Sequence, residues 1–472
     1  MKREKGKIEK STLQEKCTRI QEALGYSADL LVMHKEFKKN GHCFKIALIR
    51  IDGISDGNGV EELFRNPEIQ PSDTMEEVIG KLSDHGMNIE HKDFEKDYHK
   101  LTNSLLEGDT IVVFEGMQLV LKVSTLKTEG RQIAEPTSQT VIRGPKDAFV
   151  ESIRINTSLV RKRIKNEHLR IERFQSGEKS KANIELMYLS DQVDFQCLEK
   201  IRKRISEGST NLILESGYVE KMIQDNQKTI FPTILNTERP DEVASNILMG
   251  KIAVFVDNTP FVLICPVTFY QFFQSPEDYY YNFDISILLQ SLRFVGFFLS
   301  LLAPAVYVGL ITHHHAMIPT PLLISLYAQR EGIPFPVIIE TFLMEFIYEI
   351  LREAGVRMPR AIGQAVSIVG ALVIGQSAVE AGLVSTAVVI VVSITAISSF
   401  TMPNYNLAIS ARILRFVFMG VSYFIGFYGL LLGLMMLCGH LLTINSIGRP
   451  YLRGLDNPLS KKDRMIEIRD EK

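Results

Sequence analysis

"EGIPFPVIIETFLMEFIYEILREAG", residues 331–355, fits neither of the two solvents a protein meets. Ile, Leu, Phe and Val are dense enough to leave water, yet Glu340, Glu345, Glu349, Arg352 and Glu353 run along its length. On a helical wheel of about 100° per residue, Val337, Ile338, Thr341, Glu345, Tyr348, Glu349 and Arg352 share one side. Ile339, Phe342, Leu343, Phe346, Ile347 and Ile350 share the other. Pro334 and Pro336 are tolerated where a helix starts, which predicts an N-terminus near Phe335. A helix with one acidic face and one bulky apolar face needs an environment with two sides.

The surrounding sequence supplies one. Over 472 residues, 46% hydrophobic and 23% charged content describe an ordinary soluble protein, and a net charge of -2 gives no reason to expect a nucleic-acid partner. Those averages hide a division. Up to about Asp284 the chain is dense in Lys, Glu, Asp and Arg, whereas 294–312, 361–379, 381–411 and 416–448 contain none of them. A helix needs about 20 apolar residues to cross roughly 30 Å of hydrocarbon, so these runs predict an all-α polytopic membrane domain. The run 416–448 would extend ~50 Å as one straight helix, so it is expected to tilt, protrude or bend at its glycines. "MKREKGKIEK" at the start is charged and leads into no apolar segment, which places the N-terminal region in the cytoplasm.

That region reads as α/β. "SLLEGDTIVVFEGMQLVLKVS" from Ser104 and "NILMGKIAVFVDNTPFVLICP" from Asn246 share a plan: helix end, Gly, strand, turn, strand. Glu115-Gly116 and Asp257-Asn258 are the turn residues. The expected organisation is two subdomains of related plan, 1–130 and 131–284, then the membrane domain at 285–448 and a basic tail at 449–472. The segment "RKRIKNEHLRIER" (161–173), with Glu167 and Glu172 interleaved, reads as a solvated helix face. No Gly-rich phosphate loop, nucleophile elbow or clustered His/Asp/Glu of ligand spacing is present, so no enzyme, cofactor or metal is expected. Cys17, Cys43, Cys197, Cys265 and Cys438 are scattered and read as reduced, mostly buried thiols. His313, His314 and His315 fall where the first apolar run ends; three adjacent side chains cannot converge on one metal, and an interfacial loop is expected.

In the membrane half, Gly363, Ser367, Ala371 and Gly375 recur every fourth residue, a small-residue ladder on which a second helix can pack closely. Glu380 reads as part of a tight interfacial turn. The acidic face of 331–355 has three possible settings. It can lie on the membrane surface, although anionic lipid repels it. It can bury Glu349 against Arg352 inside a bundle, or it can line a water-filled pore in which a ring of carboxylates favours cations and Val337 and Ile338 form a dewetting constriction. The pore reading places Glu345 and Glu349 toward a symmetry axis. Four spans put both termini inside, with the seven Lys/Arg of the tail from Asn445. A fifth span puts Arg352, Arg357 and Arg360 inside and the tail outside, so the charge clues leave the span count open.

The run "IRGPKDAFVE" (142–151), with Asn156, Leu159 and Arg161 to Arg163 behind it, resembles the linker of the A subunits of GerA-type spore germination receptors. "MIPTPLLISLYAQREGIPFP", "EILREAGVRMPRAIGQAVSIVGALVIGQSAVEAGLVS", "ITAISSFTMPNYNLAISARILRF" and the closing "IGRPYL" resemble the same family's membrane blocks. The resemblance implies a multi-pass protein of the inner spore membrane with a transporter-like B subunit and a lipoprotein C subunit as partners. It also implies a homo-pentameric ring that releases ions when nutrient binds, mainly at the B subunit. Other readings are a sporulation-stage paralogue that amplifies ion release and a transporter or permease component; the latter should show inverted membrane repeats, which the sequence lacks.

Overall fold

The structure is a computed structural model that describes residues 12–39, 42–56, 89–125, 136, 139, 142–208, 212–225, 228–358 and 373–452. The chain divides into two compact units, Met1–Asp225 with Ile234–Pro266, and Asn226–Thr233 with Val267–Lys472.

Among the described residues, the first unit holds two antiparallel sheets of five strands each. Helix α1 (Leu13–Ala23) opens on a capping box: Glu15 N–H donates to Thr12 Oγ1 at 3.3 Å, and Thr12 N–H donates to Glu15 Oε2 at 2.8 Å. Strands β1 (Leu30–Lys39), β2 (His42–Ile51) and β3 (Ile89–Asp93), helix α2 (Tyr98–Glu107), and strands β4 (Thr110–Phe114) and β5 (Leu119–Val123) form the first sheet, in spatial order β1-β2-β4-β5-β3. Helix α3 (Ile153–Arg163) leads to β6 (Leu169–Ser176), β7 (Ala182–Leu189), α4 (Phe195–Glu207), α5 (Ser216–Ile223), β8 (Leu235–Thr237), α6 (Pro240–Leu248), β9 (Ile252–Val256) and β10 (Val262–Cys265). Its sheet runs β6-β7-β9-β10-β8, the same order position for position.

The two hairpins of the internal similarity are β4–β5 and β9–β10, and their turns fall at Glu115-Gly116 and Asp257-Asn258. All five residues of β4 and of β9 are buried, because each strand sits centrally with both faces covered. Pairing is antiparallel throughout the described strands, so the helices described between them are not βαβ crossovers. Cys17, Cys197 and Cys265 are buried and Cys438 is exposed.

The reading of 161–173 as a solvated helix face is corrected. The helix ends at Arg163 and Leu169 begins a strand. Arg161 is 2% exposed and donates from Nε and Nη2 to Asp29, from Nη2 to Ser27 Oγ and from Nη1 to the Leu169 carbonyl. Arg173 donates to Glu185 at 2.8 Å. A charge leaves water only with its hydrogen bonds matched, and a basic run finds those partners in segments distant in sequence.

The second unit is helical. Helices α7 (Phe283–Thr312), α8 (Thr320–Arg330), α9 (Val337–Arg357), α10 (Thr386–Phe400), α11 (Tyr405–Ile425) and α12 (Phe427–Thr443) precede a short hairpin, β11 (Asn445–Ser446) with β12 (Arg449–Pro450). Helix α9 starts two residues after Phe335, with Pro336 as its N-cap. Among the described residues, α7 and α11 are long and apolar enough to cross a membrane, with mean hydropathies of 2.2 and 1.5; α10 and α12 are apolar but shorter.

The charge-free runs do not map one to one onto helices. The run 381–411 is divided at Thr401–Asn404, where Asn404 Oδ1 caps α11 by accepting from the Asn406 and Leu407 amides. The run 416–448 is divided at Gly426, so the bend expected at a glycine occurs there. Its φ of 68° with ψ of -149° is a conformation essentially confined to glycine. Between α7 and α11, Gly309 permits close approach: a Cβ there would lie 2.6 Å from Ser422 Oγ, which donates to the Ala305 carbonyl at 2.6 Å. Glu380 ends a helical stretch that turns at Gly382.

Candidate functional site

The face of α9 singled out in the sequence turns into the helical unit of its own chain. Val337 is buried among Tyr307, Val308 and Ile311 of α7 and Val388 and Val392 of α10, with Ile338 half-buried against the same cluster. Thr341 is buried and donates to the Val337 carbonyl at 2.8 Å, the back-bonding open to a helical Thr with no other acceptor. The bulky face is the exposed one: Ile339, Phe342, Phe346 and Ile350 point outward from the chain.

Glu345 and Glu349 are occupied by arginines of α11. Arg415 donates from Nη1 to Glu345 Oε2 at 2.6 Å and from Nε to the Ser300 carbonyl of α7 at 2.6 Å, with both charged side chains 1% exposed. Arg412 pairs with the half-buried Glu349. Arg352 does not pair with Glu349 as one setting of this helix had it; its Nη1 donates to Ser399 Oγ at 3.4 Å and its guanidinium lies over the Phe400 and Tyr405 rings. One turn before the first pair, buried Glu340 accepts from the Ser385 amide at the start of α10 and faces Arg330 of α8 at 3.6 Å.

Within a single chain, Val337, Thr341 and Glu345 therefore form packed contacts. The physical reason is local. A carboxylate surrounded by apolar helices lowers its energy most by taking a guanidinium, and Arg412 and Arg415 lie three residues apart on the nearest surface. The signal was present in the sequence, since Arg412 and Arg415 are the only Lys or Arg between two long charge-free runs. Tyr348 OH, Glu345 Oε1, Arg412 Nη2 and Arg415 Nη2 are buried without a hydrogen-bond partner, so the seam retains unfilled polar capacity. Chemically, this set can hold charge in an apolar setting or exchange partners; no nucleophile with an adjacent base is among its residues.

Of the small-residue ladder, Gly363, Ser367 and Ala371 lie outside the described residues. Gly375 is described, and a Cβ there would sit 3.5 Å from Val389 of α10, an ordinary contact.

Comparison with known proteins gives a consistent set of relatives. The family described as Bacillus/Clostridium GerA spore germination protein matches residues 18–469. Spore germination protein KA of Bacillus subtilis (strain 168) is 44% identical over 433 residues, 92% of this chain and 79% of that protein. An uncharacterized membrane protein of the same strain, YfkQ, is 42% identical over 91% of this chain and 83% of its own length. Spore germination protein GerLA of Bacillus cereus is 35% identical over 92% of this chain and 88% of its own. A solved structure, the N-terminal domain of the A subunit of the Bacillus megaterium spore germinant receptor GerK3, is 35% identical, covering 55% of this chain and 96% of that one with a TM-score of 0.43.

Proposed function

Because the chain belongs to the GerA family of spore germination receptor A subunits, we propose that it is a multi-pass subunit of the inner spore membrane. Five copies form a ring with B and C subunits, and the ring releases cations when nutrient binds. The antiparallel half stays in the cytoplasm.

The observation that carries this reading is the charged seam of α9 and α11 inside a unit whose outward side chains are apolar. Ile339, Phe342 and Phe346 of α9, Phe424 of α11, and Leu431 and Met435 of α12 are exposed on the single chain. Water would not favour that surface, whereas lipid or neighbouring copies would. Charges kept at such depth are costly and belong to ion pathways more often than to scaffolding. In the proposed resting state Arg415 and Arg412 hold Glu345 and Glu349. Opening turns α9 so that Val337, Ile338, Thr341, Glu345, Tyr348, Glu349 and Arg352 wall a conduit between copies, and the ladder of Gly363, Ser367, Ala371 and Gly375 supports helix packing around it. A related protein described only as a membrane protein, matched over most of both lengths, supports placement in a membrane.

The test is reconstitution with the B and C subunits in liposomes loaded with potassium and sodium. Nutrient-dependent efflux of either cation is expected, together with leak in the absence of nutrient for Ile338→Ala. An assembled receptor that passes neither cation, or a purified chain that remains a monomer or dimer, overturns the proposal.

A further inference from the structure

The three consecutive histidines are not used by the reading above, yet two of them hold the joint between α11 and α12. Just past the end of α7, His313 and His314 both donate their backbone amides to the Gly309 carbonyl at 3.1 Å, so the two side chains start from a fixed base. His313 Nε2 lies 2.6 Å from the Tyr423 carbonyl of α11. A carbonyl only accepts, so this nitrogen carries the proton. His314 is the opposite case. The Phe427 backbone N–H donates to His314 Nε2 at 3.1 Å, so that nitrogen must present a lone pair and the neutral ring carries its proton on Nδ1.

The bond has a specific job. Phe427 is the first residue of α12, and the N-cap position is Gly426, which has no side chain to accept from the orphan amides. His314 therefore caps α12 from the turn that follows α7. Its ring also stacks on Phe427, with centroids 4.7 Å apart and planes at 15°. A Cβ on Gly426 would come within 2.7 Å of His314 Nε2, so the glycine leaves room for this ring.

We propose that His314 is an acid-sensitive latch at the α11–α12 joint, closed while the imidazole is neutral and released when it is protonated. Protonation puts a hydrogen on the nitrogen that now accepts, so donor faces donor. It also sets a positive charge at the positive end of a helix. Both effects act in one direction. His313 lacks this sensitivity, because its Nε2 already donates and a second proton on Nδ1 leaves that bond in place. Among the described residues, the titratable side chains facing His314 are His313 just past α7 and Tyr428 on α12, with ring centroids 6.3 and 6.2 Å away, and His315 follows in the next turn.

The test uses the full chain in detergent, with thermal unfolding followed by circular dichroism from about pH 8 to about pH 5, the range in which imidazole titrates. His314→Gln keeps an acceptor and cannot be protonated, and His313→Gln is the control. The wild-type midpoint is expected to fall relative to that of His314→Gln by about 2–4 °C at the acid end, with His313→Gln following the wild type. Parallel curves for wild type and His314→Gln overturn the latch. Should His314→Gln not fold, amide exchange of the wild type decides. Protection of the Phe427 amide, relative to amides in the middle of α12, is expected to drop about tenfold across the same range; an unchanged ratio overturns the proposal. Neither result depends on whether the receptor conducts ions.

Discussion

Glu345 and Arg415 share one ion pair in which neither side chain meets solvent. Removing one partner leaves the other charged and unpaired, so Glu345→Gln or Arg415→Met alone is expected to cost about 3–5 kcal/mol, and the pair Glu345→Leu with Arg415→Met to recover most of it. Thermal unfolding of the three purified variants checks this. Full stability in either single variant would mean that the pair is not formed. In the first unit, Lys251 is buried with its Nζ 2.5 Å from Asn246 Oδ1, and burial pulls its amine down to about 7 against the opposing charge of Glu242. The unfolded chain thus holds a proton on this group, between about pH 7 and the ordinary lysine range, that the folded chain lacks. Stability gains a component that rises with pH across that window, by at most about 1.4 kcal/mol per pH unit. Lys251→Met should raise stability at neutral pH and flatten the slope, measured as the difference between the two denaturant-midpoint profiles.

Among the elements, the joint of α11 and α12 makes the strictest demand on a single residue. Gly426→Ala forces an L side chain into the glycine-only region and toward His314, for an expected loss of about 1–3 kcal/mol, seen as a lower unfolding midpoint. Gly116→Ser, at a φ of 73° but with open space around its Cβ position, is expected to cost the backbone strain alone and so less than Gly426→Ala. The elements that sequence alone located well were those with local rules. The β4–β5 and β9–β10 hairpins were marked by turn residues between β-branched runs, and the start of α9 by Pro334 and Pro336. Segment 161–173 was misread because its periodicity could not show that a helix gives way to a strand within it, nor that Arg161 leaves solvent to meet Asp29.

For the whole molecule, the strand order of one sheet of the first unit is repeated in the other. In the second unit Ile339, Phe342, Phe346 and Ile350 of α9 are exposed. Membrane extraction followed by mass measurement of the purified chain is expected to give a complex of five copies, and Phe342→Glu or Phe346→Glu to reduce it to smaller species. Composition and charge spacing were enough to separate a charged, sheet-bearing half from an apolar helical half, because solvent preference is additive along the chain. Hairpin position and family membership were legible too, since both rest on contiguous residues. The orientation of α9 was not. Its wheel has two sides, and which side turns inward depends on whether the neighbouring helix offers lipid-like side chains or guanidinium groups. Arg412 and Arg415 decide that, and they reach Glu349 and Glu345 only once α11 has folded back across more than 60 residues of chain. The same holds for His314 at α12: a pairing between distant segments follows from packing, which no local pattern encodes.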